Sequence, residues 1–164
     1  MRSTAAVLRE KGYDAYYFYG GNSYFDNMET FFGGNGYRII DQKSYKPEEI
    51  TFANIWGVCD EDAYDKVIRS LGERADTTAA PFFAHVMTVS NHRPYTYPAG
   101  RIPIPNDAKL RSGGVMYTDY ALASTKWPAA NPGSPTRFSS LRPTIAPRVP
   151  AKPKSRWRNT TFPP

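Results

Sequence analysis

His92 stands in the run Ser90-Asn91-His92-Arg93-Pro94-Tyr95, directly after the apolar segment 81–89. An imidazole donates well to phosphate or sulfate oxygens, which makes His92 the leading candidate for contact with an anionic substrate. The plainer alternative is a loop histidine that only closes a strand end, and residue types alone leave both readings open. His85 lies inside the apolar segment, where a core imidazole satisfied by its neighbours is the simpler account. Gly20-Gly21-Asn22-Ser23 falls between a predicted strand and a predicted helix, a place where backbone N–H groups can meet an anion. It matches neither the P-loop nor the dinucleotide fingerprint, and a tight turn explains it as well. Asp26, Asp60 and Asp119 are isolated carboxylates whose spacing makes no metal site, and Asp60 reads as a helix cap. No serine-protease constellation, zinc cluster or pair of catalytic carboxylates can be assembled from the sequence.

The elements that must position these groups alternate. Residues 3–12 predict a short helix, with Ser3 or Thr4 as its cap and Gly12 at its end. Aromatic residues 13–19 predict a strand that stops at the glycines. Tyr24, Met28, Phe31 and Phe32 share a face at helical spacing, so residues 24–32 predict a helix. Residues 37–40 predict a second strand. Acids open a further helix over 61–71, with Tyr64, Val67, Ile68 and Leu71 on one face. Phe82, Phe83, Ala84, Val86, Met87 and Val89 are apolar at both strand parities, as expected when helices cover both sides of a sheet. A Tyr, Pro and Gly-rich loop then leads to a helix beginning near residue 114. Helix–strand alternation of this kind predicts an α/β sheet sandwiched by helices, and three strands predict part of a larger domain.

The chain changes character near Ser124. The net charge of +6 combines −2 over residues 1–123 with +8 over residues 124–164, which contain eight Lys or Arg and no Asp or Glu. Nine of the 15 prolines also fall in that stretch, where they forbid helix interiors and central strands. Residues 1–123 therefore predict a folded domain and residues 124–164 a disordered tail. A basic tail can also bind nucleic acid or anionic lipid, the reading under which the chain is a non-catalytic module. The lone Cys59 excludes an internal disulfide, and no apolar run reaches membrane-spanning length. Nor do residues near Met1 contain the apolar region of a signal peptide.

Several ordered motifs carry a resemblance: residues 19–28 (YGGNSYFDNM), 34–37 (GNGY), 56–60 (WGVCD), 81–85 (PFFAH), 88–95 (TVSNHRPY) and 117–122 (YTDYAL). Over about residues 4–123 the chain resembles the lipoteichoic acid synthase-like branch of the sulfatase family, within the alkaline phosphatase superfamily. The resemblance implies a metal-dependent enzyme in which a threonine attacks a phosphate or sulfate ester, such as a phosphoglycerol lipid head group. A divalent ion, often manganese, would assist as Lewis acid. It implies that His92 contacts the anionic group and that Phe25 and Asp26 border the same pocket. Gram-positive synthases carry a histidine, an acid, a tryptophan and an arginine in the region where this chain has Tyr19, Gly21, Asp26 and Met28. At these positions the chain departs from the residues that the Gram-positive synthases place around glycerol phosphate.

The same resemblance places the threonine and one metal-binding acid before Met1 and an Asp-His metal pair after Leu122. This chain is thus expected to supply no catalytic residue and no metal ligand, to hold no ion tightly, to be inactive alone and to bind no nucleic acid. The longer enzyme is expected to be anchored in the inner membrane with its catalytic domain outside the cytoplasm. Back-translated one nucleotide earlier, residues 143–163 permit the peptide DHCASSAGKTEIPVEKYHIP, which contains such an Asp-His pair. A frameshift or sequencing error near Ser124 is the expectation that follows.

Overall fold

Ser3 accepts a hydrogen bond from the Ala6 amide at 3.2 Å and starts helix α1, Thr4–Arg9, in a computed structural model that describes residues 3–126. Gly12 turns the chain at φ +82° into strand β1, Asp14–Tyr19. A single 3-10 turn, Phe25–Asn27, then precedes α2, Met28–Gly34. Strand β2 is Arg38–Ile40. Two short 3-10 turns follow, then a hairpin of two-residue strands, β3 at Ala53–Asn54 and β4 at Gly57–Val58. Helix α3 spans Asp60–Ala75, β5 spans Phe82–Met87 and α4 spans Arg111–Ser124.

The three main strands run parallel in the order β2-β1-β5. Their alternating side chains divide the core into two layers. Ala15, Tyr17 and Tyr19 of β1 pack with Ala5 of α1, Met28 and Phe32 of α2, and Tyr37. Tyr16 and Phe18 face the other way onto Val67 and Leu71 of α3. A further cluster joins α3 to α4 through Tyr64, Tyr117 and Ala121. Tyr17, Phe18 and Leu71 are fully buried, and each contributes on the order of 1.5–3 kcal/mol relative to exposure. Helices therefore lie on both faces of a parallel sheet, as the alternation predicts. Arg74 fastens the end of α3 to the sheet, donating to Asp14 Oδ2 at 2.6 Å and to the Ala80 carbonyl at 2.6 Å.

Three expectations need correction. The helix foreseen over residues 24–32 is interrupted, because Asp26 and Asn27 adopt φ of 52° and 57°, outside the helical region. Met28 and Phe32 still reach the core, but Tyr24 is 82% exposed and Phe31 stays at the surface. Second, β5 is less buried than its sequence predicts. It pairs with β1 on one side, and among the described residues no strand pairs with its other side. His85 is exposed as a result, with one edge of its ring against Tyr17, Phe32 and Tyr37. Its pKa is lowered by burial of that packed edge. Third, helix α3 continues to Ala75, one turn beyond the acid-led pattern. The expectations for residues 127–164 lie outside the described residues.

Candidate functional site

Because β1, β2 and β5 run parallel, their carboxyl ends share one edge of the sheet, where open α/β folds place ligands. Three loops leave that edge. The first follows β1 through Gly20 and Gly21, the second follows β2 at Asp41, and the third follows β5 and carries His92. Two buried carboxylates anchor the loops at their roots. Asp41 Oδ2 accepts from Ser23 Oγ at 2.6 Å and from the Ser23 amide at 3.1 Å, while Oδ1 accepts from the Lys43 amide. Burial alone would raise the Asp41 pKa, but these hydrogen bonds outweigh it and the net direction is down.

Asp60 is 0% exposed and grips the third loop. Its Oδ1 accepts from the Ser90 amide at 2.9 Å and the Val89 amide at 3.2 Å, and its Oδ2 accepts from Thr118 Oγ1 at 2.6 Å. Burial raises its pKa against the opposing pull of those donors. The sequence reading of Asp60 as a cap is incomplete. Cys59 occupies the cap position, and the Asp60 side chain instead ties α3 to the end of β5 and to α4. Partners 29 and 30 residues away leave no local trace in the sequence.

The hairpin closes over the same edge. Val58 N–H donates to the Gly20 carbonyl at 2.9 Å, and Gly57, at φ +138°, lies against the Gly20 backbone. Gly20 and Gly21 are therefore explained by close backbone approach, which needs no anion. A Cβ on Gly21 would strike the Trp56 carbonyl and come within 2.8 Å of the Tyr19 hydroxyl. Tyr19 and Gly21 are thus coupled: the buried phenol fills the space that a side chain at position 21 would need.

At the tip of the hairpin, Trp56 brings two of the expected site residues together. Its ring centroid lies 4.0 Å from that of His92 and 5.4 Å from that of Phe25, the latter edge-on. Trp56 Nε1 donates to the Arg93 carbonyl, and Asn54 Nδ2 donates to Thr96 Oγ1 at 3.0 Å, so the hairpin clasps the His92 loop at two points. His92 is exposed, and Phe25 is 52% exposed. Asp26 follows Phe25 at the surface in a left-handed conformation. Trp56 itself escaped selection from the sequence. A tryptophan between an isoleucine and a glycine offers no periodicity, and only the two-residue strands on either side give it a place.

Comparison with known proteins now bears on this arrangement. The family model described as Sulfatase matches residues 2–125. The chain belongs to the sulfatase family. A crystal structure of a protein in the alkaline phosphatase superfamily from Vibrio parahaemolyticus is 42% identical, with a TM-score of 0.66, over 72% of this chain and 29% of that one. The lipoteichoic acid synthase LtaP from Listeria monocytogenes is 25% identical, with a TM-score of 0.61, over 74% of this chain and 31% of its own. This sulfatase-family chain thus spans less than a third of either solved relative. Among its described residues no three His, Cys, Asp or Glu side chains gather as a metal-binding group. No described helix is long and apolar enough to cross a membrane.

Proposed function

We propose that this chain forms one wall of the anion pocket in a sulfatase-family enzyme that hydrolyses or transfers phosphate or sulfate esters, a phospholipid head group among the candidates. The observation that carries the reading is the convergence of Phe25, Trp56 and His92 at the carboxyl edge of a parallel sheet. In this arrangement His92 supplies an exposed ring N–H donor for an ester oxygen, and the aromatic rings beside it restrict water and orient the group that the anion carries. Asp60 holds the root of the His92 loop and Asp41 holds the root of the Phe25 turn. Asp26, on the same turn, borders the entrance. The attacking threonine and the ligands of a divalent ion, manganese for preference, belong to parts of the longer enzyme outside the described residues. That enzyme is membrane-anchored with its catalytic domain outside the cytoplasm, and the 164-residue chain alone is inactive.

Residues 124–164 enter the proposal as a stretch read out of frame near Ser124, which resequencing of the gene checks directly. Ester turnover tests the rest. With manganese and bis(4-nitrophenyl) phosphate or 4-nitrophenyl sulfate, a chain extended to include the upstream threonine and the corrected tail turns over, and the present chain does not. In the extended chain His92→Ala raises KM more than it lowers kcat. An unchanged KM would sink the role given to His92. Salt-sensitive DNA binding by the present chain would instead favour the basic binding module.

A further inference from the structure

The Arg93 carbonyl receives two donors at one point. Trp56 Nε1–H reaches it across the hairpin, and His92 Nδ1 lies 3.2 Å from the same oxygen. A carbonyl has no proton to give, so the ring nitrogen facing it must carry one. In water a neutral histidine side chain favours the other tautomer, with its proton on Nε2. The Trp56 ring, 4.0 Å from the imidazole and inclined at 50°, blocks one side of His92 and limits its rotation. Trp56 is itself fixed, because its amide donates to Asn54 Oδ1 at 2.8 Å and its ring meets Phe25 on another side.

We propose that Trp56 is a positioning residue: together with the Arg93 carbonyl it holds His92 as the Nδ1–H tautomer and so reserves Nε2 for the ligand. The inference builds on the anion-binding reading of His92 and gives it a direction. The neutral ring then presents a lone pair at Nε2, which repels an ester anion, whereas the imidazolium presents N–H there and binds it. Anion binding at this wall is consequently coupled to proton uptake by His92. The His92 loop carries Arg93 and Tyr95, the Phe25 turn that meets Trp56 carries Tyr24 and Asp26, and the first turn of α4, packed against Ser90, Asn91 and Tyr95, carries Arg111. The hairpin, residues 53–58, contributes none.

The chain contains two histidines, which makes the test tractable. Long-range proton–nitrogen NMR spectra of the 164-residue chain distinguish the tautomers, and His85→Gln identifies which signals belong to His92. The expected result for the unaltered chain is protonated Nδ1 and unprotonated Nε2 in the neutral ring. Trp56→Ala shifts His92 toward the Nε2–H form, and Trp56→Phe, which keeps a ring but loses the indole donor, falls between. The His85 signals report whether each variant keeps its fold. Should Trp56→Ala unfold, the unaltered chain and Trp56→Phe decide the matter. Nε2–H as the major form in the unaltered chain, or a tautomer ratio indifferent to both substitutions, overturns the proposal.

Inorganic sulfate separates this inference from the reading beneath it. Sulfate should perturb the His92 Nε2 signal, and its binding should weaken less with rising pH in Trp56→Ala than in the unaltered chain, because the neutral ring of the variant offers N–H at Nε2. An Nδ1–H tautomer with no response to sulfate would leave the positioning role intact and remove His92 from anion binding. A response to sulfate with the Nε2–H tautomer would do the reverse.

Discussion

The turn after β1 and the loop after β5 emerge side by side, and each is secured by one buried aspartate, yet the two are secured differently. Asp41 binds the side chain and amide of Ser23, both buried, and the partly exposed Lys43 amide two residues along its own loop. Asp60 lies wholly inside and binds the backbone of Val89 and Ser90 together with Thr118 on α4, so it joins three elements. The first tie sets the direction of a turn. The second sets the position of a strand end relative to two helices, and with it the base on which His92 stands. Precision at the His92 loop is therefore a property of the core, whereas the Phe25 turn depends on a carboxylate from the neighbouring loop after β2.

The sharpest way to break this contrast is Asp60→Ala, which leaves two buried amides without their acceptor and Thr118 with only the Gly114 carbonyl. It should cost about 3–5 kcal/mol in urea denaturation, since each buried donor left unmatched costs roughly 1–3 kcal/mol. Asp41→Ala should cost less, about 2–3 kcal/mol by the same reasoning, because one of its three donors, the Lys43 amide, is only partly buried. Equal losses would erase the distinction.

A pH series sharpens it further. The Asp41 pKa is lowered in the folded chain, so its stabilisation is present above the unfolded carboxyl pKa of about 4 and is lost as pH falls through the folded value. The Asp60 pKa is raised, so its contribution is fullest below about pH 4 and declines as pH rises through the folded value. The penalty of Asp41→Asn should accordingly grow with rising pH, and that of Asp60→Asn should shrink. Parallel trends in urea midpoints measured from pH 3 to pH 7 would contradict the assignment.

The smallest effect is expected at the tip of the Phe25 turn. Phe25→Ala removes one edge-on ring contact from a half-exposed side chain and should lower stability by no more than about 1 kcal/mol. A larger loss in thermal melts would mean that the tip, and not only its root, is part of the framework.

Much of this organisation is legible in the residues because it rests on periodicity. The caps of α1, the aromatic strand β1 and the apolar face of α3 each follow a repeat that a short window detects. The break at Asp26 and Asn27 is not legible in that way, since helical spacing continues across residues whose backbone has left the helix. The hairpin fails for a different reason: two-residue strands are shorter than the pattern needed to recognise them. His92 is singled out by its place after a strand and Phe25 by family resemblance, and both adjoin Trp56 in the folded chain. Trp56 and the full reach of Asp60 depend on contacts between distant segments, which only the folded chain creates. The exposure of His85 is likewise a matter of which strand lies beside β5, and side-chain type carries no record of that.

The meeting of Gly20 with Gly57 and Val58 is made by main chain against main chain. A joint of this kind is indifferent to the identities of the side chains that project beyond it. Phe25, Trp56 and His92 project beyond this joint, so substitutions there should leave the seat of the hairpin against Gly20 in place.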